Sequence, residues 1–340
     1  MGIKILGTGS YLPPKVVTND DIAKSLDTTD EWIYSHTGIH RRHVAGEGES
    51  SSTMGTEAAK KALEAAGVSP DEIGLIVVAT STPDYGPFPS TACLIQAALG
   101  CTNAGAFDLQ AACAGFVYAV EQARGFVNFY PDKKALVIGT ETLTRIQDWT
   151  DRSSCILFGD GAGAIVIGND EAPGVAGTKT DAYTILGADG TGAGFITRTG
   201  GMKDAIPFNP ETGVPVPVEH VNAKFEIKGH DVFAFAVRQL SKVATDLCVK
   251  KGIETTDLDR VFAHQANARI IEATARRMKL PLESFWLNLE ETGNTSAASI
   301  PISLDQAVKA GELKEGMKIV MIGFGAGLTY AGTYLTWPNL

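Results

Sequence analysis

Pro70-Asp71-Glu72-Ile73-Gly74-Leu75-Ile76-Val77 has a counterpart in the second half of the chain, Thr256-Asp257-Leu258-Asp259-Arg260-Val261-Phe262-Ala263. Each stretch follows a helical pattern and passes through an acidic turn into a short apolar run of strand character. Lys134-Ala135-Leu136-Val137-Ile138-Gly139 and Lys318-Ile319-Val320-Met321-Ile322-Gly323 form a second pair at nearly the same offset (256 − 70 = 186, 318 − 134 = 184). A third pair sets Phe107-Asp108-Leu109 ahead of Cys113 against Leu287-Asn288-Leu289 ahead of Asn294 (294 − 113 = 181). Three ordered matches at near-constant offset point to a duplicated α/β unit. Strand candidates at Gly74–Ala79, Ala135–Gly139, Ala164–Gly168, Arg260–Ala263 and Lys318–Gly323 alternate with helical stripes. Met54, Ala58, Ala62 and Ala65 form one stripe; Phe233, Val237, Leu240, Val243, Ala244 and Leu247 form another. The expected fold class is α/β in two halves, 1–170 and 171–340. Duplicated halves bring equivalent strand ends and helix starts to a shared interface, where α/β proteins keep their chemistry. On this reading Cys113 and Asn294 occupy corresponding helix starts and face one pocket.

The 340 residues suffice for two core-bearing units, and the balance of 44% hydrophobic to 20% charged is that of an ordinary globular protein. A formal net charge of −10 argues against a general nucleic-acid or membrane-surface binder, which needs a basic face. Five scattered cysteines without a C-x-x-C pair read as reduced thiols rather than a disulfide framework. No apolar run approaches a membrane span, and the start lacks the pattern of a secretory leader, so the expectation is a cytoplasmic, soluble protein.

Cys113 lies in Asp108-Leu109-Gln110-Ala111-Ala112-Cys113-Ala114-Gly115-Phe116, where a strand-like run gives way to a helix whose Phe116, Ala119, Val120 and Ala123 share a face. A thiol in a first helical turn faces unpaired N–H groups and the positive end of the helix dipole, which favours the thiolate. Small neighbours leave room for a substrate. Taken alone, the segment fits a buried core thiol equally well. His264 follows a strand in Val261-Phe262-Ala263-His264-Gln265-Ala266-Asn267, and Asn294 lies in a turn, Gly293-Asn294-Thr295-Ser296, feeding a helix. Singly, His264 reads as a satisfied core or capping histidine and Asn294 as a helix cap. Together with Cys113 in a duplicated fold they read as a reactive set.

At this point the chain resembles the β-ketoacyl-acyl carrier protein synthase III family of thiolase-like fold. The resemblance runs through Gly7-Thr8-Gly9-Ser10-Tyr11-Leu12-Pro13, Asp30-Glu31-Trp32-Ile33, Thr37-Gly38-Ile39, the Cys113 segment, Phe158-Gly159-Asp160-Gly161-Ala162-Gly163, the segments of His264 and Asn294, and Gly323-Phe324-Gly325-Ala326-Gly327. It implies a five-layered α-β-α-β-α architecture and a homodimer without a resident cofactor or metal. The implied substrates are a short acyl-CoA, a coenzyme A thioester such as acetyl-CoA, and malonyl-acyl carrier protein. It assigns the acyl-accepting role to Cys113 and stabilisation of an enolate to His264 and Asn294. Asparagine is no base, so that role is electrostatic. The backbone of Cys113 and the turn at Ala326 would form the oxyanion hole, and the absence of a second cysteine there separates the chain from thiolases.

By the same resemblance Trp32 and Arg152 would sandwich an adenine and Asn267 would sit in the pantetheine tunnel. Phe88 would close the acyl pocket of the neighbouring subunit, with Leu143 and Phe158 lining it. Arg269, Arg276, Arg277 and Lys279 would meet an acidic carrier protein, against the plainer reading of a solvated helix face. Three departures stand out: His36 where many members have arginine, Ala326 where glycine is usual, and a Gly/Pro-rich stretch, Thr197–Ala223, about twenty residues longer than its usual counterpart. Ala326 keeps a backbone donor if its φ is negative. Rival readings are an initiator of a polyketide- or quinolone-type pathway with another primer, and a non-catalytic acyl or carrier-protein binding module. A nicotinamide oxidoreductase is disfavoured because Gly7-Thr8-Gly9 lacks a third glycine. Gly159–Gly163 reads as a tight turn rather than a phosphate loop, and His40 and His43, separated by two arginines, make a poor zinc site.

Overall fold

The computed structural model describes residues 2–170, 180–198, 211 and 225–340. Two sheets follow one plan. In the first, β1 (Ile3–Tyr11), β2 (Ile73–Ala79), β3 (Gly105–Leu109), β4 (Lys134–Glu141) and β5 (Gly161–Asn169) lie in the order β1-β5-β4-β2-β3. In the second, β6 (Ala182–Ala188), β7 (Arg260–Ala263), β8 (Lys318–Gly325) and β9 (Thr329–Thr336) lie in the order β6-β9-β8-β7. β1–β5 and β5–β4 are antiparallel, while β4–β2 and β2–β3 are parallel. The second sheet repeats this: β6–β9 and β9–β8 antiparallel, β8–β7 parallel. Where the first sheet has β3, the second has a lone parallel bridge, Val261 to Phe285, with the Trp286 N–H donating to the Val261 carbonyl at 3.0 Å.

Six helices complete the layers: α1 (Ser51–Ala66), α2 (Thr91–Leu99), α3 (Gly115–Phe129), α4 (Gly229–Lys251), α5 (Ala268–Met278) and α6 (Ser299–Lys309). α1 packs on β1, β4 and β5 and α2 on β2 and β3, while α4 packs on β8 and β9 and against α5. α3 and α6 touch strands of both sheets and form the middle layer. The architecture is therefore α-β-α-β-α, as the duplication requires. The central strands β2, β4 and β8 are apolar runs because both faces are covered.

Four local expectations are corrected. Ala65 is exposed, and α1 buries Met54, Ala58, Ala59, Ala62 and Leu63. Phe233 is 40% exposed and turned off the core face, which Phe235, Ala236, Leu240, Val243, Ala244 and Leu247 occupy. Gly161–Gly163 begins β5 rather than forming a turn. Fourthly, Cys113 and Asn294 are not equivalent. The single 3₁₀ turn Ala112–Ala114 leads into α3 and the turn Ser296–Ala298 into α6, so the counterpart of Cys113 is Ala297 (297 − 113 = 184). Of the Thr197–Ala223 stretch, 199–210 and 212–223 lie outside the described residues; Thr197 and Arg198 belong to a strand, Ile196–Arg198, paired with Phe225–Ile227.

The two helix-entry turns are seated on glycines. A Cβ added at Gly139 would come 2.3 Å from the Ala297 carbonyl oxygen, and one at Gly323 would meet the Ala114 Cα at 3.3 Å. Gly139→Ala is expected to destabilise the protein by about 1–3 kcal/mol through overpacking. Chemical denaturation measures it, and an unchanged midpoint would contradict this packing.

Candidate active site

Cys113 occupies the middle of the turn between β3 and α3. Ala112 before it holds a left-handed φ of 47°, a conformation a non-glycine residue keeps only where its surroundings enforce it. A Cβ on Gly325 would lie 2.6 Å from the Cys113 nitrogen, so only glycine lets β8 approach this amide. Cys113 opens on a cavity of about 480 Å³ that also presents His264, Asn294, Asn267 and Ala326. Leu143 and Phe158 line its walls, with Phe225 and Phe233. Among the described residues the non-glycine positions with positive φ are Ala112, Lys279 and Ser296, so Ala326 meets the condition for keeping its backbone donor.

His264 directly follows β7, its N–H continuing the parallel ladder to the Ile322 carbonyl at 2.8 Å. The ring is 1% exposed and stands edge-on to Phe324. Burial pushes its pKa down to about 3, with only a bond to the Ser296 carbonyl opposing. The Ser299 hydroxyl stands 2.8 Å from His264 Nδ1 and 2.9 Å from the Ser296 carbonyl. If its single proton goes to the carbonyl, Nδ1 carries the ring proton. If it goes to the ring, Nε2 becomes the donor. Asn294 is fixed by its own backbone: its N–H donates to the Leu157 carbonyl at 2.8 Å, and its carbonyl accepts from Gly159 N–H at 3.0 Å. Its Oδ1 accepts from Ser296 N–H at 2.9 Å, which leaves Nδ2 as the donor end.

The Cys113 thiol departs from expectation. Burial pushes it up to about 12, Glu141 charge adds to the rise, and a bond from the Ser296 hydroxyl opposes it. The turn's dipole is outweighed because removing the sulfur from water penalises the thiolate more than one short turn favours it.

Trp32 lies on the helix Asp30–Thr37, with the Arg152 guanidinium 4.6 Å from its ring centre and His36 stacked at 4.2 Å. The expected pair thus meets, but in contact, with no gap for a base between them. Asn267 caps α5: Oδ1 accepts from Arg269 N–H at 2.9 Å, and Nδ2 donates to the His36 carbonyl at 2.9 Å. Arg269 Nη2 donates to the Ser35 carbonyl at 2.5 Å. Unpaired carbonyls ending the Trp32 helix are therefore held by the first residues of α5. Arg276, Arg277 and Lys279 are exposed, Arg276 reaching Glu272 at 4.0 Å. Phe88 is 79% exposed and takes no part in this chain's own cavity. Sequence reasoning missed Glu141, Ser296 and Ser299. For Ser296 a signal existed, since it stands 184 residues after Ala112 in the repeat.

Two α/β halves with a cysteine turn from one facing a histidine and an asparagine from the other define a thiolase-fold condensing enzyme. Residues 107–184 match the family described as 3-oxoacyl-(acyl carrier protein) synthase III, and residues 248–337 match its C-terminal part. The chain is 47% identical over 337 residues to the β-ketoacyl-(acyl carrier protein) synthase III of Xanthomonas campestris, covering 98% of each, and 44% identical to that of Caldanaerobacter subterraneus. Among solved structures it resembles the Aquifex aeolicus 3-oxoacyl-(acyl carrier protein) synthase III (TM-score 0.87, 42% identity, 99% and 100% of the chains covered). It also resembles the priming β-ketosynthase of a polyketide pathway (TM-score 0.89, 37% identity, 99% and 97% covered). The chain belongs to the β-ketoacyl-acyl carrier protein synthase III family, condensing acyltransferases that initiate fatty acid synthesis.

The depressed histidine makes a pH prediction. An unfolded histidine titrates near 6.5, so a ring buried neutral adds stability above that pH, lost as pH falls toward 3. The His264 ring resonances are expected not to titrate between pH 5 and 8 by NMR; an inflection near 6.5 would contradict a desolvated ring.

Proposed function

We propose that Cys113 takes the acyl group of a short acyl-CoA, acetyl-CoA foremost, and that the acyl-enzyme condenses with the enolate of a decarboxylating malonyl-acyl carrier protein. The observation that carries this is one cavity shared by Cys113, His264 and Asn294, with Gly325 against the cysteine amide. In the first step the Cys113 sulfur attacks the thioester carbonyl, the oxyanion rests on the N–H groups of Cys113 and Ala326, and coenzyme A leaves as a thiol, the proton that Cys113 gives up balancing the one the leaving sulfur takes. In the second, carbon dioxide departs and leaves an enolate whose oxygen accepts from His264 Nε2–H and Asn294 Nδ2–H. That carbon attacks the acyl-cysteine, giving the 3-oxoacyl-carrier protein and free Cys113. The histidine role requires the arrangement in which Ser299 donates to Nδ1.

Trp32 and Arg152 hold the nucleotide, Arg152 swinging off the indole, and Asn267 lines the pantetheine path. Leu143 and Phe158 bound the acyl end; Phe88 closes the pocket of a second subunit in a homodimer. Exposure of Phe88 and of Phe107 on the edge strand β3 supports that dimer. Arg269, Arg276, Arg277 and Lys279 receive the acidic carrier protein. The halves 1–170 and 171–340 divide the labour, with nucleophile from one and enolate donors from the other. Coenzyme A is substrate and no resident cofactor or metal takes part. No helix among the described residues is long and apolar enough to cross a membrane, in keeping with a cytoplasmic enzyme.

Intact-protein mass after incubation with a panel of acyl-CoAs tests the first half-reaction. Acetyl-CoA is expected to acylate the wild type and not Cys113→Ala; adducts only from long or aromatic thioesters would move the enzyme to another primer. His264→Ala and Asn294→Ala are expected to acylate normally and lose condensation by about 100-fold or more. Condensation by either at the wild-type rate would refute its role.

A further inference from the structure

Arg42, in the short strand Arg41–His43, is 0% exposed, and none of the roles above uses it. Among the described residues no carboxylate pairs with its guanidinium. Nη2 donates to the Ile156 carbonyl at 2.8 Å, and Nη1 to Asn19 Oδ1 at 2.8 Å and the Val17 carbonyl at 3.3 Å. Asn19 is itself fixed: its Nδ2 donates to Asp30 Oδ1 at 2.8 Å and to the Ile39 carbonyl at 2.6 Å, so Oδ1 is the end turned to Arg42. Burial lowers the guanidinium pKa to about 10, which leaves it charged at neutral pH.

Ile156 begins the run on which Asn294 hangs. The next carbonyl, that of Leu157, accepts the Asn294 N–H at 2.8 Å, and Gly159 N–H donates back to the Asn294 carbonyl at 3.0 Å. Phe158 and Asn294 thereby form a parallel bridge. Arg42 lies directly behind both runs. A Cβ added at Gly159 would stand 3.2 Å from the Arg42 Cβ, and one at Gly293 would stand 3.1 Å from it.

We propose that Arg42 is a positioning residue for Asn294, tying the run 156–159 to Asn19 so that Asn294 is held beside Cys113 and His264. The inference rests on the reading of Asn294 as a donor to the enolate and deepens it. A buried guanidinium without an opposite charge is costly, and an apolar side chain of similar volume often packs as well. What an apolar chain cannot do is donate to the Ile156 carbonyl and the Asn19 amide at once. The planar guanidinium makes that two-point tie, and an ammonium reaches it less well. Precision of this kind matters most for a donor aimed at a transient charge, where a displacement of about 1 Å can cost about 100-fold in rate. Cys113 is mounted elsewhere, on the turn before α3 and against Gly325, so its acylation does not depend on the tie.

The test compares wild type, Arg42→Met and Arg42→Lys in two rates: acylation of Cys113 by acetyl-CoA, read by intact mass, and condensation with malonyl-acyl carrier protein. Melting curves check folding. Acylation is expected to stay within about twofold, while condensation falls about tenfold in Arg42→Met and about threefold in Arg42→Lys. In an Asn294→Ala background, Arg42→Met is expected to add no further loss of condensation, because the group it positions is gone. Should Arg42→Met fail to fold, Arg42→Lys, which keeps the charge, carries both comparisons. Equal loss of the two rates marks a general packing role and overturns the inference. A further loss in the Asn294→Ala background overturns it too, as does unchanged condensation in a folded variant. If Asn294→Ala alone condenses at the wild-type rate, the reading of Asn294 falls, and the role of Arg42 with it.

Discussion

Backbone lies on backbone at the middle of this molecule, and the site depends on that reciprocal contact. Gly139 of β4 receives the turn Ser296–Ala298 from the other half, and Gly323 of β8 receives the turn Ala112–Ala114 in exchange. Each turn contains a non-glycine residue forced to positive φ, Ala112 at 47° and Ser296 at 48°. Such conformations cost of order 1–3 kcal/mol each and persist where packing over-determines them. Here two sheets and two central helices enforce them. Placement of Cys113 is thus a property of the whole sandwich rather than of a loop.

The same tight packing sets the charge state of the resting site. Cys113 is pushed toward the thiol, His264 toward the neutral ring and Glu141 toward the acid, and in all three burial is the leading cause. Desolvation penalises each charged form wherever no opposite charge compensates it. A neutral pocket suits this chemistry. In the proposed reaction the charges that matter, an oxyanion and then an enolate, arise only as it proceeds and meet donors already in place. A resting thiolate would instead compete with them for the same N–H groups.

Much of this was legible in the sequence because repetition and polar-residue scarcity are one-dimensional signals. The paired acidic turns and apolar runs at Pro70–Val77 and Thr256–Ala263 announced the duplication, and β2 and β7 stand there. Cys113, His264 and Asn294 were separable from the core because each sits at an element end. What failed depended on the third dimension. The pairing of Cys113 with Asn294 missed by three residues, since apolar flanks do not reveal which turn residue takes positive φ. The thiol's direction of shift was reversed because its walls come from both halves, and no local spacing reports desolvation. Phe233 matched the α4 stripe by period, yet it faces the cavity.

Aligning the halves by structure shows how one site was drawn from two. At an offset of 184 (264 − 80, 294 − 110, 297 − 113, 325 − 141), His264 corresponds to Thr80, Asn294 to Gln110, Ala297 to Cys113 and Gly325 to Glu141. The proposed site combines Cys113 with His264, Asn294 and the open space over Gly325. Its twin combines Ala297 with Thr80, Gln110 and Glu141, and there the carboxylate fills the space that Gly325 leaves free. Glu141 accepts there from the Ser81 N–H at 3.0 and 3.1 Å and from the Thr82 hydroxyl at 2.6 Å. The twin position is therefore filled by an internal carboxyl that burial pushes toward the acid. The Ser81 and Thr82 donors hold this buried carboxyl in place, and its position at the end of β4 matches that of Gly325 at the end of β8, as the pseudo-twofold symmetry requires.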